Sequence, residues 1–223
     1  MYICEYCNKS FLKESSIQVH MCEPKRRDQE KSERGVQLGY RAYIKFYEMQ
    51  QGSAKLKSWD DFKTSPYYKA FVKWGRHCVN VRVINPEKFM VWLLEKNKKL
   101  DQWCKDSFYG DYLLDYLKTE PIDDALSRAL EQSLDWAEAT GNPSNDYLRY
   151  GGENLICYAI STGRISPWVL YNCASGIEFL DRLNEEQVKI IWPMINSDIW
   201  ASKFKDYLAD KVYIEEMLKT TGW

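Results

Sequence analysis

Four side chains of the kinds that can bind a metal ion stand within the first 22 residues of the sequence: Cys4, Cys7, His20 and Cys22. Cys4 and Cys7 have the C-x2-C spacing, which lets one tight turn direct two thiolates at the same ion. His20 follows after twelve residues and Cys22 after one more. Because Zn2+ accepts thiolate and imidazole donors in one tetrahedral set, this spacing predicts a zinc site. Ordinary free cysteines and a surface histidine are the alternative.

The residues between these ligands resemble those of the C2H2 zinc-finger superfamily. Phe11 and Ile17 stand where such a finger keeps the two apolar residues of its small core, and Tyr2 stands at the aromatic position of the first strand. The resemblance implies a ββα finger over residues 1–24. So short a segment needs its metal to fold, because it buries little apolar surface. A finger of this kind can bind nucleic acid, but it can equally serve only to stabilise the fold, or it can bind another protein.

Cys22 departs from the family pattern, in which a second histidine follows His20 after three to five residues. The shorter spacing, with Pro24 just beyond it, predicts a helix that ends a turn early. The positions that face bases in C2H2 fingers correspond here to Lys13, Ser15, Ser16 and Val19. Only Lys13 suits a base or a phosphate, and a finger covers about three base pairs. The finger alone is therefore not expected to specify a sequence.

The composition is that of a globular protein. The chain has 223 residues, of which 45% are hydrophobic and 15% aromatic, and this suits one or two domains with a sizeable core. No apolar run predicts a membrane span, and no export leader is recognisable. The cysteines outside the zinc site are Cys78, Cys104, Cys157 and Cys173. Their scattered spacing favours reduced thiols and a cytoplasmic location, which would be the host cytoplasm for a viral protein.

The formal charge is divided unevenly along the chain. Residues 1–99 contain 20 Lys and Arg against 11 Asp and Glu, a charge of +9. Residues 100–223 contain 11 against 21, a charge of −10. Such asymmetry favours binding of a polyanion, DNA or RNA, by the basic half. Two solvated surfaces of opposite sign would give the same numbers, and the acidic half would also suit a protein partner.

Cations lie beside aromatic residues in the basic half. Three follow the finger directly, in a charged segment predicted over residues 25–35 as a linker, for which the exposed start of a helix is the alternative: Lys25, Arg26 and Arg27. Others stand on a short helix predicted after Ser65-Pro66: Tyr67, Lys69, Lys73, Arg76 and His77. This combination can hold phosphates and stack on bases, although part of the aromatic set must face the core. We therefore predict nucleic-acid binding through these eight residues and Lys13.

The rest of the chain, residues 36–223, is predicted to form one all-α domain. A capping residue precedes a proline at Ser65-Pro66, Asn85-Pro86, Asn142-Pro143 and Ser166-Pro167. The pairs Ser58/Asp61 and Asn184/Gln187 resemble capping boxes. Apolar residues recur at helical spacing between these starts, and nothing outside the finger alternates as a strand does. The fold class is thus mainly α, with about nine helices expected.

Two segments of this domain, 65–118 and 166–219, share motifs in the same order. Each begins with Ser-Pro, has a glycine ten residues after the serine, and later carries an Asp-x-Trp motif that contains Trp103 or Trp200. The order predicts a diverged tandem duplication in which the first helix of each copy ends near that glycine. The alternative is that helical proteins reuse Ser-Pro and Asp-x-Trp so often that the two segments align by chance.

Catalytic motifs are not evident in the sequence. Phosphate-binding glycine loops, nucleophile elbows and the HExxH metalloprotease motif are absent. His77 adjoins Cys78, but neighbours on a helix point about 100° apart, so a Cys–His pair would need another partner. Asp106 and Asp111, on an aromatic and acidic helix, are the least implausible catalytic set. A solvated pair of carboxylates is the simpler interpretation.

The arrangement of one finger on a tryptophan-rich helical body resembles uncharacterised proteins of large tailed phages. The segments SPYYKAFVKWG and KLDQWCKDSFY contribute most to this resemblance. It implies a viral zinc-finger protein that binds DNA or RNA. Some helical phage proteins with related domain plans are suspected to modify DNA bases, so a DNA-modifying transferase recruited by the finger is one alternative. A virion or host-takeover adaptor that binds proteins is the other.

Overall fold

The computed structural model describes residues 1–51, 57–200, 203 and 207–223, and most of these residues are helical. Their strands form one two-stranded antiparallel sheet, in which β1 (Tyr2–Ile3) pairs with β2 (Ser10–Phe11). Helix α1 (Glu14–Gln18) follows the sheet and completes the predicted ββα arrangement. A small finger followed by helices confirms the predicted fold class.

The first of two compact units covers Met1–Lys105. After α1 its helices are α2 (Glu23–Gln29), α3 (Arg34–Gln51), α4 (Trp59–Thr64), α5 (Tyr68–Val81) and α6 (Pro86–Glu95), with 3-10 turns at Glu30–Ser32 and Leu100–Gln102. Residues 25–35, predicted as a linker, are thus mostly helical. Helix α2 starts with Glu23 and carries Arg26 and Arg27 in its last turn, charges that complement its dipole.

The second unit covers Asp106–Trp223. Its helices are α7 (Asp106–Thr119), α8 (Ile122–Thr140), α9 (Tyr147–Tyr150), α10 (Glu153–Ser161), α11 (Pro167–Tyr171), α12 (Ala174–Asp181), α13 (Glu185–Ile195), α14 (Ser197–Trp200) and α15 (Tyr207–Thr220), with a 3-10 turn at Ser144–Asp146. The residues predicted as one domain, 36–223, are therefore divided between two units. Short connections break several predicted helices, so the described residues contain more helical segments than expected. Within them, no helix combines the length and apolar character that a bilayer span requires.

Predicted helix starts agree with the structure in part. Ser58 and Asn184 form capping boxes at α4 and α13, and the side chain of Asn85 caps α6. Helix α5, however, begins only at Tyr68, because the Ser65 hydroxyl accepts from the backbone N–H of Tyr67 and forms a separate turn first. Helix α11 does begin after its serine, but without a side-chain cap.

Helices α3 and α5 approach closely where glycines face each other. A Cβ atom on Gly75 would lie 2.0 Å from the carbonyl oxygen of Gly35 and 2.7 Å from the backbone nitrogen of Gly39. Only glycine leaves room for backbones at this distance. Gly75 thus lies inside α5 as a packing residue, and the predicted helix end at this glycine is wrong.

Replacement of Gly75 by alanine should force α3 and α5 apart. Because the added methyl group would meet backbone atoms, which cannot rotate away, we expect a loss of about 3 kcal/mol in the free energy of unfolding. Gly110→Ala is the matched control: it lies within α7 and an added Cβ would have no neighbour within 4 Å. That variant should gain about 0.5–1 kcal/mol. Urea unfolding measures both, and equal stabilities for the two variants would contradict this packing.

The two predicted repeat segments share buried tryptophans but differ in their first helices. Trp103 and Trp200 are both almost fully buried. Helix α5 has 14 residues and packs mainly on α3, whereas α11 has five and packs mainly on α12, which contains the second predicted end glycine, Gly176. Residues 201, 202 and 204–206 of the second segment lie outside the described residues. That the segments are tandem copies stays a prediction.

The two faces of α5 differ in character. One face is buried in an aromatic core, where the rings of Phe71 and Trp74 each lie 5.8 Å from that of Trp103, edge to face. The other face carries Lys69, Lys73 and Arg76, spaced four and three residues apart, and all three are exposed. Burial of the first face in the core thus fixes the direction in which this basic stripe points.

Candidate metal centre and basic cleft

The turn that holds the first two cysteines is a hydrogen-bonded knuckle. The backbone N–H of Cys4 donates to the carbonyl of Lys9 at 3.0 Å, and that of Asn8 donates to the carbonyl of Cys4 at 2.8 Å. Asn8 has φ +57°, in the left-handed region that asparagine tolerates better than most residues. The turn brings the thiols of Cys4 and Cys7 to one side.

All four predicted ligands meet at one point. The Sγ atoms of Cys4 and Cys22 lie 3.9 Å apart, and the Sγ of Cys7 lies 3.2 Å from Nε2 of His20. One donor atom from each residue lies within 4.8 Å of all the others. Two thiolates bound 2.3 Å from a tetrahedral zinc ion would be about 3.8 Å apart. The donor types and distances therefore fit a metal ion such as zinc.

The finger surface offers little for base recognition. Helix α1 has five residues and ends at Gln18, as the early proline predicts. Lys13 precedes this helix and is exposed, and so are Ser15 and Val19. Lys25 donates from Nζ to the carbonyl of His20 at 3.2 Å, so it also holds the ligand loop in place. A helix little longer than one turn presents few side chains to a groove.

Beside the finger, the first unit contains a cavity of about 710 Å³ lined by residues of α2, the following 3-10 turn and α5. We call it the basic cleft. It brings together six of the nine residues predicted to bind nucleic acid: Arg26, Arg27, Lys69, Lys73, Arg76 and His77. Tyr67 is half-exposed but does not line the cleft. Two groups of residues that lie far apart in sequence thus share one site.

Carboxylates hold several of these cations in position. Arg76 donates from Nε and Nη2 to the two carboxylate oxygens of Glu33 at 2.7 and 2.6 Å, and its Nη2 also donates to Glu30 at 3.2 Å. The hydrogen bonds from Arg76 hold the pKa of Glu33 below its usual value. On α2, Glu23 pairs with Arg26 and Arg27, and the hydrogen bond from Arg27 likewise lowers the pKa of Glu23.

Positive charge nevertheless exceeds negative charge in the cleft. Its lining includes five Lys and Arg but only two carboxylates, Glu23 and Glu30. In the described part of the chain, no carboxylate forms an ion pair with Lys73, which is exposed at the middle of the α5 wall. A concave surface with surplus positive charge attracts anions.

The catalytic candidates do not form an evident catalytic arrangement. Asp106 and Asp111 are both exposed on α7, and five residues separate them by about 140° around the helix. His77 is half-buried in the cleft wall. Burial raises the pKa of its neighbour Cys78, so that thiol stays protonated and is a poor nucleophile.

Two features of the cleft are not among the nine candidate residues, although one of them stands on the predicted helix from Tyr67 to His77. One is Tyr68, which lines the cleft although its ring is almost fully buried. The other is the pair of lining glutamates, Glu23 on α2 and Glu30 on the adjoining turn, whose negative charges offset those of the neighbouring arginines in the sequence. The helical spacing of Glu23, Arg27 and Glu30 could have indicated that they share a face.

Comparisons with protein-family models, with curated proteins and with solved structures find no match for this chain. They add no support to the resemblance to phage proteins. The C2HC finger therefore rests on the geometry of Cys4, Cys7, His20 and Cys22.

Proposed function

We propose that this protein binds nucleic acid through its first unit, with a zinc-loaded finger and the basic cleft as contact sites. The observation that carries the proposal is the cleft itself, where six of the nine candidate residues line one cavity. In this function zinc is structural: it would be held by Cys4, Cys7, His20 and Cys22 and would fix the finger beside α2.

The charge of the two units supports the same function. The residues of Met1–Lys105 include 21 Lys and Arg against 12 Asp and Glu, a charge of +9, whereas Asp106–Trp223 has 10 against 20. Cations that neutralise phosphates release condensed counterions, and this release supplies most of the affinity in non-specific binding. With few side chains placed to read bases, the protein should bind many sequences with similar affinity.

Lys73→Gln should weaken binding because it removes a cleft cation that forms no ion pair with any carboxylate of the described residues. We expect about a fivefold loss of affinity, the equivalent of ~1 kcal/mol, for single- or double-stranded DNA or RNA. Lys189→Gln is the matched control, since Lys189 is exposed on α13 in the acidic unit. Fluorescence anisotropy with labelled oligonucleotides at low salt measures the affinities.

Absence of binding to every oligonucleotide at low salt would contradict the proposal. A loss of affinity in Lys189→Gln equal to that in Lys73→Gln would contradict the assignment to the cleft. The first result would favour the alternative function, a protein adaptor that docks through its acidic unit.

A further inference from the structure

Carboxylates beside the basic cleft pair with the cations of α5 at matched positions. Glu23 and Glu30 are seven residues apart along α2 and the turn that follows it. Their partners, Lys69 and Arg76, are also seven residues apart, which is about 10 Å along α5. The distances are 3.8 Å from Glu23 to Nζ of Lys69 and 3.2 Å from Glu30 to Nη2 of Arg76. Anions that belong to the chain itself thus occupy both ends of the basic stripe.

The pairing at Arg76 has the geometry that a phosphate group would adopt. Nε and Nη2 of Arg76 donate to the two carboxylate oxygens of Glu33 at 2.7 and 2.6 Å. Arginine forms the same two parallel hydrogen bonds with a phosphate. These hydrogen bonds lower the pKa of Glu33, so its side chain is an anion at neutral pH. A phosphate can therefore bind both donors only if it displaces this carboxylate.

Water reaches these ion pairs, so their partners can exchange. The side chains of Arg76 and Glu33 are 44% and 40% exposed, and that of Lys69 is 76% exposed. Ion pairs in contact with solvent contribute little to stability. Another anion can thus replace the carboxylates without unfolding the first unit.

We infer that the glutamates beside the cleft compete with nucleic-acid phosphates for the cations at both ends of the basic stripe, and so lower the affinity of the cleft. At one end Glu23 competes for Lys69, and at the other Glu30 and Glu33 compete for Arg76. Among the described residues, no carboxylate forms an ion pair with Lys73, which lies between these ends and can meet a phosphate without this competition. The inference rests on the proposed function and adds an autoinhibitory contact to it.

The test replaces the two glutamates that pair with Arg76. Glu30→Gln/Glu33→Gln keeps the shape of both side chains and removes their charge, so a phosphate no longer has to displace a carboxylate. We expect this double variant to bind labelled single- or double-stranded DNA about five- to tenfold more tightly than the wild type at low salt. Its salt dependence should become steeper by about 1 in the log–log slope, because one more cation contacts a phosphate. Fluorescence anisotropy over a range of salt concentrations measures both quantities.

Glu153→Gln/Glu178→Gln is the matched control, because it also removes two carboxylates that pair with arginines in contact with solvent. These pairs, to Arg182 at 3.9 Å and to Arg149 at 3.2 Å, lie in the second unit. The net charge of the protein changes by the same amount, but the cleft is not altered. The affinity of the control should therefore stay within about twofold of that of the wild type.

Two further variants identify the cations that are released. Glu30 also lies 4.0 Å from Arg26, so the gain in the double variant must be assigned. Addition of Arg76→Gln to the double variant should abolish the gain. Glu23→Gln tests the other end of the stripe, where it releases Lys69, and should bind about two- to threefold more tightly than the wild type. It also keeps the test decisive if thermal unfolding shows that the double variant does not fold.

The outcomes separate this inference from the proposed function. If the wild type binds DNA and the glutamine variants bind it equally well or more weakly, the glutamates position the cations instead of competing for them, and the inference is wrong. An equal gain in the control variant would assign the effect to net charge and would also contradict it. A gain that survives Arg76→Gln would contradict the assignment to Arg76. Failure of all these proteins to bind DNA at low salt would overturn the proposed function itself.

Discussion

Removal of the metal should unfold the finger and leave the helical units folded. Cys4 is the only buried residue among residues 1–22, so the segment has no core apart from the metal centre. In such segments the free energy of metal binding, about 10–16 kcal/mol for structural zinc, is the free energy of folding. Cys4→Ala, or treatment with a chelator, should therefore abolish zinc binding and expose residues 1–22 to exchange with solvent.

Metal analysis and hydrogen exchange together test this expectation. The wild-type protein should contain stoichiometric zinc, and Cys4→Ala should contain little. Cys157→Ala is the control, since that thiol is buried in α10 outside the cluster and its loss should leave the metal content unchanged. A zinc-free wild type, or full metal content in Cys4→Ala, would rule out this ligand set.

Arg128→Ala should destabilise the second unit severely, because it would remove the ion-pair partner of a buried carboxylate. The side chain of Glu120 has no exposed surface and pairs with Arg128, whose Nη2 donates to it at 2.8 Å. Ser166 donates to the same carboxylate at 3.0 Å. Arg128 also donates to the carbonyl of Gly163 at 2.8 Å. The pair thus joins the connection between α7 and α8 to the loop before α11.

We expect Arg128→Ala to lower the free energy of unfolding by about 3–5 kcal/mol, as found when a buried pair loses one partner. Arg149→Ala is the control: its pair with Glu178, at 3.2 Å, is solvent-exposed and should contribute less than about 1 kcal/mol. Urea denaturation of both variants provides the comparison. If Arg128→Ala lost as little stability as Arg149→Ala, other groups would be compensating the buried charge of Glu120.

The metal centre could be predicted from sequence because its ligands lie within one short segment. The spacing of Cys4, Cys7, His20 and Cys22 limits how the chain can turn between them, and the structure brings all four together. Helix α5 could also be predicted from the sequence, because the spacing of its apolar residues separates a core face from a basic face.

The cleft could not be predicted, because it depends on contacts between distant segments. Its α2 wall has no buried residue, so no apolar pattern indicates a helix at residues 25–35. Its α5 wall is placed by the close approach of Gly75 to Gly35 in α3. In sequence, Gly75 suggests a helix end, because the tertiary contact that requires a glycine there is not visible.

The salt dependence of nucleic-acid binding tests the central claim most directly. If the cleft and finger neutralise phosphates, the logarithm of the association constant should fall linearly with the logarithm of salt concentration, by about 0.7–0.9 per phosphate contacted. Lys73→Gln should make this slope shallower by about 1, and Lys189→Gln should leave it unchanged. An affinity that does not change with salt, or a Lys73→Gln slope equal to that of the wild type, would contradict nucleic-acid binding by the basic cleft.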